Sequence, residues 1–273
     1  VSSVTGRMIY SRTADGWEPY VRGPMRWTAT GAEAGSLMGM AFDPERGWLW
    51  VASSAVEQTP DPQSAFSGLI GIAPGRNEVL WLPVEDGGQP GDVALGRDGA
   101  AYLSDGARGA IFVRPIGGVE LERLVDPGRL RSPQGMAVSP DGSALIIADY
   151  NYGLARLDLA TGALDRVGYV GPDMLDGIDA LLRHGDSLIA IRNGVAPNAI
   201  LRIDLDPSGR RVRNVRILER ANPDWGEPTL GTIDGDTLYY VADARWADFG
   251  AGGVPNAGAS ARPTAIRALS LGE

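Results

Sequence analysis

A segment of about 45 residues recurs along the chain, and this repeat constrains the fold more than any single motif. Its clearest copy runs from Ser132 to Asp149 and reads as a strand, an Asp141-Gly142 turn and a second strand. A third strand is predicted over Gly153–Leu159 and a weaker fourth over Leu164–Tyr169. Each repeat therefore supplies four short strands joined by tight turns.

The same pattern begins at five positions, and each position is the start of a first strand: Met38, Gly91, Gln134, Asp179 and Glu227. Successive starts are 53, 43, 45 and 48 residues apart. A solenoid would need a helix or a shorter rung, and an immunoglobulin-like sandwich would not repeat. This period with four strands is typical of the antiparallel blade of a β-propeller, so we predict an all-β fold of that kind.

The N-terminal residues read as part of a further blade. Ser2–Tyr10 aligns with Asp149–Leu157, which spans the end of a second strand and most of a third. The first two strands of that blade would lie before Val1. We therefore predict a six-bladed propeller with an incomplete N-terminal blade, forming a single domain over residues 1–273. A closed five-bladed ring is the alternative.

Composition excludes several classes of function. The formal charge is −9 and no Lys/Arg-rich run is present, which argues against nucleic-acid binding. The absence of cysteine excludes thiolate catalysis and Cys-ligated metal sites. The single histidine, His184, falls in a predicted surface turn, so a Ser-His-Asp triad would depend on it alone. No apolar run approaches transmembrane length, and no signal peptide is visible in this chain.

The repeat predicts where a site would lie. In a propeller the first strands line a central channel, so the five start positions should form a ring at one mouth. Loops between second and third strands should surround that ring. We expect these loops and the ring to supply the substrate-contacting residues Asp92, Tyr150, Asn151, Asn193 and Trp246.

The predicted ring contains two carboxylates, Asp179 and Glu227, and the amide of Gln134. Oxygen donors of these kinds suit a hard cation such as Ca²⁺ or another divalent ion. A carboxylate beside a bound cation can also act as a general base on water. The alternative is that these side chains only face the water of the channel.

The repeats resemble the senescence-marker-protein/gluconolactonase family of six-bladed propellers, which is related to NHL-like and strictosidine-synthase-like proteins. The resemblance lies in Pro133–Gly142 followed by Ala148-Asp149-Tyr150, in Gly177–Ile191 and in Leu230–Asp243, and it covers nearly the whole chain. Within it, Gly177–Ile191 and Glu227-Pro-Thr-Leu-Gly231 are similar to an uncharacterised bacterial branch of the family. The resemblance implies a hydrolase that opens lactone or phosphoester bonds with one divalent metal, often Ca²⁺.

The resemblance also implies metal ligands, and the chain departs from the family pattern at several of them. Asp179 matches the family's Asp in blade five, with Asp176 as a nearby alternative. Gln134 stands where blade four normally has Asn, and Gly91, with Asp92 beside it, stands where blade three has Asn. The family's Glu in blade one would lie upstream of Val1, and Glu227 in blade six could substitute for it.

Two functional hypotheses follow. The first is a metal-dependent hydrolase of a lactone or similar small-molecule ester, in which Asp179 activates water and Asp179, Glu227 and Gln134 hold the metal. The second is a non-catalytic propeller that binds a ligand or a protein, and a lyase of the strictosidine-synthase type is a distant third. In each case we expect a monomer and, from the resemblance, a periplasmic or secreted location.

Overall fold

A computed structural model describes residues 1–21, 25–85, 87–260 and 262–272. The chain divides into two compact units, Val1–Asp126 with Trp246–Ser260 and Pro127–Arg245 with Ala261–Glu273. Regular structure is almost entirely β-strand, with short 3₁₀ turns at Pro74–Arg76, Trp246–Asp248 and Ala251–Gly253. The predicted all-β class is therefore confirmed.

Unit 1 contains a hairpin, a short parallel pair and two four-stranded antiparallel sheets. The hairpin is β1 (Ile9–Thr13) with β2 (Gly16–Val21), and the parallel pair is β3 (Glu33–Ala34) with β6 (Ala65–Phe66). The first sheet is β4 (Ser36–Asp43), β5 (Trp48–Ser54), β7 (Gly68–Ala73) and β8 (Glu78–Pro83). The second sheet is β9 (Pro90–Leu95), β10 (Ala101–Asp105), β11 (Ala110–Arg114) and β12 (Glu122–Val125).

Unit 2 contains three antiparallel sheets in sequence order. The first is β13 (Pro133–Val138), β14 (Ala144–Asp149), β15 (Gly153–Asp158) and β16 (Leu164–Arg166). The second is β17 (Ile178–His184), β18 (Ser187–Arg192), β19 (Ala199–Leu205) and β20 (Val212–Arg220). The third is β21 (Gly231–Asp234), β22 (Thr237–Val241) and β23 (Ile266–Ser270).

These five sheets are the blades of a β-propeller arrangement in the described part of the chain, and hairpin β1–β2 is compatible with the incomplete N-terminal blade. The Asp-Gly turns are confirmed, because Gly99, Gly142 and Gly235 all have positive φ at the turns between first and second strands. One strand start differs from the prediction. The last blade was expected to begin at Glu227, but β21 begins at Gly231, after Pro228, which has no backbone N–H to donate.

Hydrophobic side chains fill the space between neighbouring blades within each unit. In unit 1, Trp50 is 1% exposed and packs with Val93, Leu103 and Phe112 of the next sheet. Trp50 is therefore a core residue of the Trp48-Leu-Trp50 strand. In unit 2, one cluster joins the sheets that begin with β13 and β17, and a second joins those that begin with β17 and β21.

The first strands approach closely enough to require glycine at one point of contact. A Cβ added to Gly135 of β13 would lie 2.2 Å from the backbone nitrogen of Leu181 in β17. The obstructing atoms belong to the backbone of the neighbouring strand, so no side-chain rotation can relieve the clash. The two strands can pack at this distance only because residue 135 has no side chain.

We expect Gly135→Ala to lower the free energy of unfolding by about 2 kcal/mol or more, because overpacking must push β13 away from β17. Gly75→Ala is the matched control, since its Cβ would meet nothing within 4 Å and its φ is not positive. Urea denaturation of both variants measures the difference. Equal stability of the two variants would show that the close approach of β13 and β17 imposes no constraint.

Candidate functional site

The predicted start positions of the first strands coincide with irregularities in the β ladders. In β17 the pairing passes from Ile178–Arg192 directly to Ala180–Ile191, so Asp179 is an extra residue with no partner. The pairing of β13 shifts in the same way between Pro133 and Met136, around Gln134. A bulge turns a side chain away from the regular alternation and is frequent beside functional sites. The bulge therefore explains how Asp179 comes to stand apart from the strand's buried face.

Gly177 organises the backbone around Asp179. Its φ is +71°, and its N–H donates to the Tyr150 carbonyl oxygen at 2.6 Å. Its own carbonyl oxygen accepts hydrogen bonds from the backbone N–H groups of Asn193 and Gly194, both at 3.0 Å. One glycine thus joins the end of β14, the entry to β17 and the end of β18. A positive φ with a neighbouring backbone this close favours glycine here.

Three side chains, those of Thr229, Asn193 and Tyr150, form a hydrogen-bonded chain that ends on Asp179. Thr229 donates its hydroxyl to Asp179 Oδ2, and Asn193 donates its amide to the same oxygen at 3.1 Å. Asn193 also donates to the Pro228 carbonyl oxygen at 3.0 Å, and its Oδ1 accepts the Tyr150 hydroxyl at 2.8 Å. The two hydrogen bonds to Asp179 thus reach the same carboxylate oxygen, Oδ2. Asp179 is half-buried, and its Oδ1 has no hydrogen bond to any described residue.

The electrostatics of the site are those of carboxylates without a counter-ion. Burial raises the pKa of Asp179, although the hydrogen bonds from Thr229 and Asn193 oppose that shift. Burial also raises the pKa of Glu227, and the negative charges of Asp179 and Asp243 raise it further. Neither Asp179 nor Glu227 forms an ion pair with an arginine in the described residues.

Tyr150 belongs to the same electrostatic group. Burial raises the pKa of its phenol, and the charges on Asp179 and Glu227 add to that effect. The structure thus brings together four of the residues selected from sequence: Asp179, Glu227, Tyr150 and Asn193.

Asp243 has a different role from Asp179. Its Oδ2 pairs with Arg262 at 2.8 Å, and its Oδ1 accepts the backbone N–H of Glu227 at 3.3 Å. The same kind of contact recurs at the ends of other second strands. Asp149 Oδ1 accepts the N–H of Ser132, Asp105 Oδ1 that of Gln89, and Ser53 Oγ that of Gly35. We call this contact the entry hydrogen bond, since it holds the segment that leads into each first strand.

The repeat that contains Asp179 does not use this entry hydrogen bond, and this difference distinguishes the site. Asn193 occupies the corresponding place after β18, but its side chain turns to Asp179 and the Pro228 carbonyl oxygen instead. The entry to β17 is held by Gly177 through backbone hydrogen bonds alone. The Asn193 side chain therefore does not form an entry hydrogen bond, whereas Asp149 and Asp243 do so in neighbouring blades.

Other residues selected from sequence lie elsewhere. The Gln134 amide donates to the Ser132 hydroxyl at 3.0 Å, and Asn151 is exposed in the turn between β14 and β15. Asp92 is 8% exposed in β9 of unit 1, where its backbone N–H donates to Ser104 Oγ. Trp246 begins a 3₁₀ turn that also belongs to unit 1, as do the start positions Met38 and Gly91.

Sequence reasoning missed two contributors, Thr229 and Gly177. Thr229 lies in the Glu227–Gly231 segment that carried the family resemblance, so a polar side chain there was available as a signal. Gly177 begins the Gly177–Ile191 segment, which carries the family resemblance. Its role depends on three backbone hydrogen bonds between distant segments, which no local pattern reveals.

A metal site was also expected. Among the described residues, no group of three or more His, Cys, Asp or Glu side chains is placed to hold a metal ion. The available donors are oxygen atoms of the kind that a hard cation prefers, but they include only two free carboxylates. These oxygen donors are of the chemical type that such an ion prefers, but they are too few to complete its coordination. In the same described residues, no helix is long and apolar enough to cross a membrane.

No family model matches the chain, and no curated protein matches it. Solved structures do. A chain of the nidogen/laminin complex aligns with a TM-score of 0.62 and 16% identity, covering 90% of this chain and 84% of the matched chain. A catalytically inactive virginiamycin B lyase from Staphylococcus aureus with quinupristin gives 0.60 and 16%, covering 88% and 72%.

An auxiliary nutrient binding protein from Bacteroides ovatus gives a TM-score of 0.58 and 18% identity, covering 75% of this chain and 52% of its own. These similarities place the chain among the β-propellers, which confirms the predicted fold class. At such identities they show the fold alone. Membership of the gluconolactonase branch stays a prediction.

We expect Asp179→Asn to stabilise the folded protein at pH 7 in chelator-containing buffer. A pKa raised above the ordinary value of 3.8 means that folding favours the protonated form, so stability falls as pH rises from 3.8 through the folded-state pKa. The amide removes that loss and still offers an oxygen to Thr229 and Asn193. The melting temperature of the variant should exceed that of the parent at pH 7, and the difference should shrink toward pH 4. A lower melting temperature at pH 7 would contradict the raised pKa.

Proposed function

We propose that the protein binds a small-molecule ligand or ion by placing a positive charge against Asp179 and Glu227. The observation that carries the proposal is geometric. Two neighbouring carboxylates share a partly buried site without a basic partner in the described residues, and one of them has its Oδ2 fixed and its Oδ1 free.

A cation would relieve the cost of this arrangement. Partial burial and mutual repulsion both disfavour the ionised pair, and a bound positive charge offsets both terms. Thr229 and Asn193 hold Asp179 in one orientation, so little side-chain freedom is lost when a ligand meets Oδ1. Tyr150 supports this orientation through Asn193 and acts as a positioning residue.

A divalent cation is one form that the charge could take, and it leads to the hydrolase hypothesis. Asp179 Oδ1 and the Glu227 carboxylate are the donors at this site that would meet Ca²⁺ or a similar ion, whereas the predicted third donor, Gln134, is hydrogen-bonded to Ser132 elsewhere. Such an ion would supply polarisation of a lactone or ester carbonyl. Asp179 has the raised pKa and the free oxygen of a group that accepts a proton from water.

An organic cation is the other form, and it leads to the non-catalytic hypothesis. The presence of only two free carboxylates favours this form, because an ammonium group needs fewer oxygen ligands than Ca²⁺ does. The similar structures include both a lyase and a nutrient-binding protein, so this fold serves enzymatic and binding roles alike. The expected monomer and the periplasmic or secreted location stay predictions.

Titration calorimetry with CaCl₂ and, separately, with choline chloride tests the proposal. We expect heat with at least one of the two, and its loss in both Asp179→Asn and Glu227→Gln. Asp186→Asn is the matched control, since it removes one carboxylate that is exposed in the turn between β17 and β18, outside the site. Calcium binding followed by hydrolysis of glucono-δ-lactone in a pH-stat would favour the hydrolase. No heat with either ion would overturn the proposal.

We expect Tyr150→Phe to weaken binding of whichever cation is retained by roughly three- to tenfold, because Asn193 loses the hydrogen bond that orients its amide. Tyr152→Phe is the matched control, since Tyr152 is 57% exposed and lies two residues further along the same turn. Calorimetry measures both affinities. An unchanged affinity in Tyr150→Phe would remove Tyr150 from the site.

A further inference from the structure

Unit 1 contains a second feature that the proposed function does not use. A cleft of about 430 Å³ opens between the turns of its two four-stranded sheets. Its wall includes Trp48 and Trp50 of β5, Arg76 in the 3₁₀ turn, Arg114 at the end of β11, and Ile116. This volume lies within the range of small-molecule sites.

The aromatic wall is a stack with a guanidinium group at each end. The rings of Trp48 and Trp50 are stacked with centroids 5.3 Å apart and planes inclined at 21°. Arg76 lies over Trp48 at 5.0 Å, and Arg114 lies over Trp50 at 4.7 Å. Arg76 also pairs with the Glu78 carboxylate at 3.2 Å, whereas Arg114 faces its aromatic ring without a carboxylate partner in the described residues.

Arg114 is the unusual member of this set. It is 6% exposed, and burial lowers its pKa. Its Nε donates to the Gly118 carbonyl oxygen at 2.9 Å, and it forms no ion pair in the described residues. The two terminal nitrogens of Arg114 have no hydrogen-bond partner among the described residues. They are also accessible to solvent, so they reach the space of the cleft.

Acidic side chains in the same cleft do not compensate Arg114. Asp43 accepts hydrogen bonds from the backbone N–H groups of Glu45 and Arg46 and pairs with the Arg46 guanidinium at 3.1 Å. Glu45 also lies against Arg46, at 3.5 Å. A buried guanidinium therefore faces open space with up to four N–H donors unused.

We propose that this cleft binds the oxyanion of a small organic acid, with the terminal nitrogens of Arg114 as the anchor. The planar guanidinium presents parallel donors that match a carboxylate or a phosphate. The exposed edge of the tryptophan stack and the Ile116 side chain, which is 54% exposed, offer apolar surface for the body of the ligand. This site is independent of the Asp179–Glu227 site, whose residues belong to the other unit.

Calorimetry with benzoate, phenyl phosphate and the neutral analogue benzamide tests the proposal on the whole chain. We expect at least one anion to bind and benzamide to bind roughly tenfold more weakly or not at all. The stronger of the two anions identifies a carboxylate or a phosphate as the preferred group. Failure of both anions to bind at millimolar concentration, or equal binding of benzamide, would overturn the proposal.

Two variants locate the binding. Arg114→Gln removes the anchor, with the exposed Arg129→Gln as its control for net charge. Ile116→Glu places a negative charge at the mouth without altering the core, and Val119→Glu is its control, since Val119 is 69% exposed on the same loop and does not line the cleft. We expect affinity to fall roughly tenfold or more in the first member of each pair only. If Ile116→Glu binds as tightly as Val119→Glu, the anion lies elsewhere and the assignment is wrong.

Discussion

The entry hydrogen bond is the contact on which the blades depend. In four repeats a side chain at or just past the end of the second strand accepts the backbone N–H of the segment leading into the first strand. Without that acceptor, these buried or partly buried N–H groups would lose their partner, at a cost in free energy that rises with their burial. In those four repeats the contact helps to fix where the first strand begins. In the repeat that contains Asp179 the backbone hydrogen bonds of Gly177 take its place, so the position of Asp179 depends on Gly177 instead.

The repeated architecture was predictable because its signals are local. Asp-Gly turns, alternating apolar residues and a period near 45 residues lie within single blades, and the sequence displays them directly. The first and second strands over Met38–Ser53 and Gln134–Asp149 appear where the pattern placed them. The error at Glu227 has a local cause as well. Pro228 has no backbone N–H to donate to a β ladder, and the repeat pattern does not take that into account.

The site was only partly predictable, because its definition depends on side-chain direction. Asp179, Glu227, Tyr150 and Asn193 could be selected from positions in the repeat. The sequence could not show that Asn193 turns its amide toward Asp179 while Asp149 and Asp243 turn to backbone N–H groups. That choice depends on Gly177, whose carbonyl oxygen binds the Asn193 backbone and leaves the side chain free. Likewise, Arg114 is one of 25 basic residues in the sequence, and only packing shows that it lacks a carboxylate partner.

The contrast between satisfied and unsatisfied buried charges separates structural from functional side chains in this protein. Asp149 is fully buried, yet its two oxygens accept the N–H groups of Arg131 and Ser132 and the guanidinium of Arg166. We do not expect Asp149 to bind a ligand, because its charge is already compensated. Asp179 and Arg114 each lack a counter-ion and retain polar atoms that no described residue binds. A chain selected only for stability would replace such groups with neutral ones, since burying an uncompensated charge is costly. Ligands of opposite charge, a cation at Asp179 and an oxyanion at Arg114, would offset that cost, and this is the physical basis of both proposals.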